Sequence, residues 1–335
     1  MPLPNHTSKS LIYHSIFSPD GLIPMIEANY DLTSPIECSL LARGVNEIYS
    51  VTSGGQQYIL RLSRQSRYGT FDEEAYRFEL DLLGFWREHA LPISYPVSRR
   101  DRDTLGAINA PEGKRYYALF SFAEGKIPSS LEKGQSYVLG ETLAKLHLAA
   151  NSFSSPHARF HLDEDFLIDE PIRRLGRLPQ ITKGDFEILE KLSGTLRHSI
   201  QSLARQQDKY GIIHGDFWWN NAHFIGNKAT VFDFDFCGYG WRVYDIGSLR
   251  GTAKAFGYNL EDGVIDAFMQ GYQSIRKLTE TELAAIAAFE KIRVIWLFGI
   301  WTSFMDEFGT RWFYSTFNET LSNLKKWIEE ESVQV

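Results

Sequence analysis

From residue 34 to residue 65, apolar and polar positions alternate with the period of half-buried strands: CSLLARG, then NEIYSVTS, then, past the Gly54-Gly55 pair, QQYILRLSR. Strand side chains point alternately to two faces, and paired glycines supply the positive φ angles of a two-residue hairpin turn. The stretch therefore predicts an antiparallel meander. The period then lengthens. Phe71, Ala75, Phe78, Leu82 and Phe85 recur at helical spacing ahead of Pro92, and Thr70 with Glu73 has the capping-box form of a helix start. A strand around Pro96–Val97, a polar hairpin RRDRDTLGAINAPEGK and the apolar run Tyr116–Phe122 follow, bringing the expected antiparallel sheet to five strands.

Beyond Ala123-Glu124-Gly125 helical spacing dominates. Leu139, Leu143, Leu146 and Ala150 mark one apolar face, and Phe186, Leu189, Leu192, Leu196, Ile200 and Leu203 another. Thr279 and Glu282 predict a capped helix running toward Trp301, and residues 316–330 a last one. No repeats or low-complexity tracts interrupt the pattern. The fold class is α+β in two domains, residues 1–122 with an N-terminal helix or extension, the sheet and one helix, and residues 123–335 mostly helical.

With 335 residues, 43% hydrophobic and 14% aromatic, the chain can bury a core in each domain. A formal net charge of -7 argues against a nucleic-acid partner, since the basic residues are scattered apart from Arg99, Arg100 and Arg102. Cys38 and Cys237 are too few for a disulfide framework, so a reducing cytoplasm is the expected location. The start MPLPNHTSKS lacks an apolar signal core, and Val294–Trp301 is far shorter than the ~20 apolar residues that cross a bilayer. No membrane partner is expected.

The chemistry is concentrated in HGDFWWNNAH, His214–His223, and VFDFD, Val231–Asp235. Taken singly, these polar residues would pass for turn formers. Their order says more: strand (211–213), loop with Asp216, Asn221 five positions on, strand (229–232), acidic turn with Asp233. One carboxylate to orient or deprotonate a hydroxyl, with two oxygen ligands for a cation, makes a phosphoryl-transfer centre.

H-G-D-x-x-x-x-N followed by D-F-D resembles the aminoglycoside phosphotransferase and choline kinase superfamily, with Gly215 where protein kinases carry arginine. The resemblance spans almost the whole chain. It implies a bilobal protein-kinase-like fold, ATP and Mg²⁺ as cofactors, Asp216 as the catalytic carboxylate, and Asn221 and Asp233 as metal ligands. Asp235 either shares the second metal or is a polar turn residue; on an extended chain its carboxylate would face the same side as that of Asp233. Arg61 stands on the third strand where the family usually has lysine. There it would grip nucleotide phosphates, held by Glu79, or else be a solvated strand residue; Glu73 and Glu74, in the first helical turn, are the rival partners. Gly44 and Asn46 in ARGVNEI are either a backbone approach to phosphate or an ordinary hairpin turn. His214 and Asp245 are expected to support the loop, and Trp218 and Trp219 to wall a substrate pocket or to pack.

The activity so implied is ATP- and Mg²⁺-dependent transfer of the γ-phosphate to a hydroxyl of a small metabolite: an amino alcohol, hydroxy amino acid, aminoglycoside or sugar-like compound. The alternatives are a protein Ser/Thr kinase of the bacterial stress-response type and a non-catalytic pseudokinase; intact Asp216, Asn221 and Asp233 weigh against the latter. No transferable motif names the acceptor. Trp296, Trp301, Asp306, Glu307, Trp312 and Phe313 form an aromatic and acidic group that suits an amine, although aromatics at helical spacing are mostly core.

Overall fold

The meander forms where the alternation predicts it. The computed structural model describes residues 14–64, 71–179, 181–203, 205–206, 208–305, 310–311, 313–315, 317–319, 322 and 326. Its chain divides into two compact units: Met1–Gly125 with Phe153–Arg159 and Thr230–Phe232, and Lys126–Ser152 with Phe160–Ala229 and Asp233–Val335.

In the first unit, helix α1 (Pro19–Asn29) precedes β1 (Ile36–Arg43), β2 (Asn46–Ser53), β3 (Gln56–Ser63), α2 (Glu73–Glu88), β4 (Gly106–Ala110) and β5 (Gly113–Ser121). The strands make one antiparallel sheet in the order β1-β2-β3-β5-β4. Gly54 and Gly55, at φ 56° and 81°, form the β2–β3 turn. Leu22 and Ile26 of α1, with Tyr30 just past its end, pack against Tyr49, Val51, Leu60, Leu62 and Leu119 of the sheet. Each such side chain stabilises the fold by about 1.5–3 kcal/mol relative to exposure.

Two expectations here need correction. The fifth strand is Gly106–Ala110, inside the segment expected to be a polar hairpin, whereas Pro96 makes only an isolated bridge to Phe120. Proline has no N–H to add to a ladder, so the backbone bond beside it comes from Val97 N to Leu119 O, 2.7 Å. Helix α2 is capped by Asp72, whose carboxylate accepts from Ala75 N at 2.9 Å; Thr70 lies outside the described residues. Glu73 instead accepts from Arg77, Lys114 and Tyr116. The buried face of α2 is Ala75, Phe78 and Leu82 as the spacing requires, closed by Trp86 rather than Phe85.

The second unit contains α3 (Lys133–Ala149), β6 (His161–Leu162), α4 (Glu170–Leu175), α5 (Lys183–Ile200), β7 (Tyr210–Ile213), β8 (Ala222–Ile225), the first two residues of β9 (Lys228–Val231), β10 (Gly238–Trp241), α6 (Arg242–Ala255), α7 (Val264–Ile275) and α8 (Glu280–Trp301). β10 runs antiparallel to β7 and parallel to β6, and β8 pairs with β9. The Thr279 capping box opens α8 with both reciprocal bonds in place. Helices α6 and α8 approach closely because α6 presents Gly247 and Gly251: a Cβ at Gly247 would lie 2.7 Å from Phe289 Cβ, and one at Gly251 would lie 2.9 Å from Arg293 Cβ. Most of residues 316–330, expected as a last helix, fall outside the described residues. Among the described residues no helix is long and apolar enough to cross a membrane.

Candidate active site

Strand β7 delivers His214, and the chain then turns through Gly215 at φ 80°. A Cβ at Gly215 would lie 2.1 Å from the Phe236 carbonyl oxygen, so the loop closes onto the acidic segment only with glycine there. Asp245, in the first turn of α6, bolts the turn down: one oxygen accepts from His214 N at 2.7 Å and the other from Gly215 N at 2.9 Å. Its first oxygen also meets His147 Nε2 at 3.0 Å, while His147 Nδ1 lies 2.9 Å from the Tyr272 hydroxyl. A carboxylate only accepts, so Nε2 of the neutral ring carries the proton and Nδ1 receives the tyrosine hydrogen. Burial pushes the His147 pKa down to about 4, against the opposing pull of Asp245. The buried His214 accepts from Asp216 N at 3.2 Å through Nδ1, and its ring packs on Phe234, centroids 4.4 Å apart.

The loop so fixed presents Asp216, whose side chain is 21% exposed. Asn221, at the end of the helical turn Trp219–Asn221, donates its amide nitrogen to the Asp216 carbonyl at 2.8 Å and faces Asp216 Oδ2 at 3.3 Å. With its nitrogen turned to the loop, the amide oxygen is the group left for a cation. Asp216 Oδ1 is ion-paired to Arg293 of α8, which also donates to the Gly215 carbonyl at 3.2 Å and to Thr252 Oγ1 at 2.9 Å. Sequence reading missed Arg293. Its signal was a charge abutting the apolar run VIWLFGIW, where burial is expected, because a buried arginine requires a counter-charge.

The acidic segment differs from the extended chain expected for it. Asp233 sits at φ 65°, in the left-handed region, and a turn follows, so the alternation that would face Asp233 and Asp235 to one side does not apply. Asp233 is exposed and Asp235 buried. Among the described residues no group of three or more His, Cys, Asp or Glu side chains could hold a metal ion. An amide oxygen with one or two carboxylates, completed by phosphate and water, is nevertheless the donor set magnesium takes in nucleotide sites.

In the first unit, Arg61 on β3 meets Glu79 on α2 through two bonds, Nη1–Oε1 2.7 Å and Nη2–Oε2 2.8 Å, with both side chains buried. The guanidinium also lies over the Phe120 ring, 4.8 Å from its centroid. The rivals Glu73 and Glu74 are engaged elsewhere, Glu73 with Arg77 and Lys114 and Glu74 with His157. Gly44 begins the β1–β2 turn, its N–H bonded to Asn46 O at 2.9 Å and its carbonyl to Arg64 at 2.6 Å. The Gly44 Cα faces open space, whereas Asn46 is buried.

Trp219 is buried and Trp218 half-buried. Trp218 stacks on Phe256 at 5.3 Å, and Tyr258 contacts Trp218 at 6.2 Å and Trp219 at 5.4 Å. Tyr258 also lines a cavity of about 410 Å³ with Arg250, Lys254, Glu261, Asp262 and Asp266. Of the aromatic and acidic group considered for an amine, Trp296, Trp301 and Phe313 are core residues; Asp306, Glu307 and Trp312 lie outside the described residues.

Comparison with known proteins agrees with this architecture. The model of the phosphotransferase enzyme family matches residues 37–288, three quarters of the chain. An uncharacterized protein of Synechocystis sp. is 32% identical over 89% of this chain and 84% of its own. Homoserine kinase of Methylobacillus glycogenes is 28% identical over 76% of each chain. A solved amicoumacin kinase in complex with AMP-PNP, Ca²⁺ and Ami shares the fold at TM-score 0.76 and 20% identity, over 94% of each chain. The chain belongs to the phosphotransferase enzyme family, and the α+β protein-kinase-like fold expected from its motifs is the fold it adopts. That membership makes it a phosphotransferase.

Proposed function

We propose that this family member uses ATP and Mg²⁺ to phosphorylate a hydroxyl of a small metabolite. The observation that carries the reading is the Asp216 loop: a partly exposed carboxylate flanked by Arg293 and Asn221, on a backbone bolted to Asp245. A carboxylate held this way accepts the hydrogen bond of the acceptor hydroxyl, aims its oxygen at the γ-phosphorus, and takes the proton as the new P–O bond forms and the bond to the departing ADP breaks. Asn221 and Asp233 are the magnesium ligands in this reading, with Asp235 a weaker third. When bound, the metal offsets the charge of the transferred phosphoryl group.

Arg61, oriented by Glu79, is assigned to the nucleotide phosphates, which a planar fork can hold through two donors where lysine offers a point charge. Gly44, with Asn46 at its base, is assigned to backbone approach to phosphate. Trp218 walls the acceptor together with Phe256 and Tyr258, and the buried Trp219 packs behind them. Two similar proteins support a small hydroxyl acceptor and a nucleotide with a divalent cation: a relative named for homoserine, a hydroxy amino acid, and a solved kinase holding AMP-PNP and Ca²⁺.

The test is ADP release from Mg²⁺-ATP over a panel of amino alcohols, hydroxy amino acids, aminoglycosides and sugars, with mass detection of the phosphorylated product. One class should turn over well above the others. Phosphorylation of protein serine or threonine without any metabolite product would replace this reading with the protein-kinase alternative, and failure to bind ATP would leave a binding module.

A further inference from the structure

The geometry points to Arg293 as the residue that positions the catalytic carboxylate, acting from α8 through Asp216. This rests on the reading of Asp216 as the group that orients the acceptor hydroxyl. Arg293 is 1% exposed, and its donors have fixed destinations: Asp216 Oδ1, the Gly215 carbonyl, Thr252 Oγ1 at 2.9 Å, and the Tyr244 hydroxyl at 3.4 Å. Its guanidinium lies over the Trp296 ring, 4.5 Å from the centroid. A planar fork held at this many points has one orientation, and it transmits that orientation to the carboxylate it pairs with.

The pairing also determines which part of Asp216 faces the reaction. Oδ1 is held by Arg293, and Oδ2 sits 3.3 Å from the Asn221 amide, so the side-chain rotamer is fixed from both sides while part of the group stays exposed. Burial alone would push the Arg293 pKa down, but the Asp216 charge and the Tyr244 hydroxyl outweigh it and leave the guanidinium above its ordinary value. The arginine is therefore a permanent cation behind Asp216. The register is built into the helix pair: Gly251 admits the Arg293 Cβ, and Gly247, one turn earlier on α6, admits Phe289, one turn earlier on α8. Thr252, adjacent to Gly251, then meets the guanidinium.

Arg293→Met, which fills similar space without charge, should lower kcat at least 30-fold while changing KM for ATP less than 3-fold, and Arg293→Lys should recover part of the loss. Thr252→Val leaves the ion pair in place and frees only Nε. It should lower kcat 3- to 10-fold, and it carries the test if Arg293→Met does not fold. The decisive measurement repeats each substitution in an Asp216→Asn background by end-point product detection. If Arg293 acts through Asp216, the second substitution costs less than 3-fold there. Equal fold losses in both backgrounds, or a rise in KM for ATP that matches the fall in kcat, overturn the proposal and leave Arg293 a packing residue. Asp216→Asn retaining full turnover would instead overturn the underlying reading of Asp216.

Discussion

The Arg61 guanidinium and the Glu79 carboxylate face each other through two parallel bonds of 2.7 and 2.8 Å, both side chains buried. Removing either partner of such a pair leaves an uncompensated buried charge, which costs far more than loss of an exposed pair. Arg61→Ala should therefore weaken productive ATP use by ~2 kcal/mol or more, and Arg61→Lys should restore part of it. In a double-mutant cycle with Glu79→Ala, kcat/KM for ATP should show coupling well above the ~0.5 kcal/mol of a surface pair. Coupling near zero with unchanged ATP dependence would remove both residues from nucleotide binding.

Asp216 and Asp233 should fail in different ways. On the proposed reading, Asp216→Asn removes the hydroxyl-orienting carboxylate and keeps phosphate binding, so ATP affinity by calorimetry should stay near that of the parent while turnover is mostly lost. Asp233→Ala should weaken binding of Mg²⁺-ATP instead, and higher magnesium should recover part of it. Equal small losses in both variants would make Asp216 a structural residue.

How much of this was legible in the sequence depended on the range of the interactions involved. The β2–β3 hairpin and the start of α8 were readable because a glycine pair and a Thr-x-x-Glu box act within a few residues. The H-G-D and D-F-D segments were readable because chemistry fixes their spacing. Strand β4 was hidden because its half-exposed residues GAINA carry little alternation, and pairing with β5 decides its structure. The Thr70–Glu73 spacing put the start of α2 two residues early, because it takes no account of Asp72, itself a good capping residue. Arg293 lies 77 positions from Asp216, so only the packing of α6 on α8 brings the two together. The left-handed turn at Asp233 was equally out of reach: an aspartate tolerates that conformation without announcing it.

Stability should fall on the acid side through His147. An exposed histidine takes its proton near pH 6.5, while burial holds His147 to about 4, so between these values the unfolded chain binds a proton that the folded chain refuses. The contribution is complete above pH 6.5 and is lost as pH falls toward 4, on the order of 3 kcal/mol across the window. Urea unfolding from pH 8 to pH 4 should show this slope in the parent. His147→Gln keeps an N–H donor for Asp245 but cannot titrate, and its curve should be flatter. Parallel curves for the two proteins would take His147 out of the acid response.

The acceptor side can be tested without touching the core. Phe256 and Tyr258 are 47% and 44% exposed, unusual for large aromatic side chains, yet both rings lie against Trp218 of the Asp216 loop. Truncating a half-exposed ring removes little buried area, so Phe256→Ala and Tyr258→Ala should each cost about 1 kcal/mol or less in stability. If these rings wall the acceptor, KM for the hydroxyl substrate should rise about tenfold for each variant, the equivalent of ~1.4 kcal/mol of lost aromatic contact, with KM for ATP unchanged. For a cationic acceptor, Tyr258→Phe should keep most of the affinity, because the face of the ring rather than its hydroxyl attracts the charge. Unchanged acceptor KM in both alanine variants would reduce these aromatics to packing around Trp218 and move the search for the acceptor to the cavity lined by Arg250, Lys254 and Asp266.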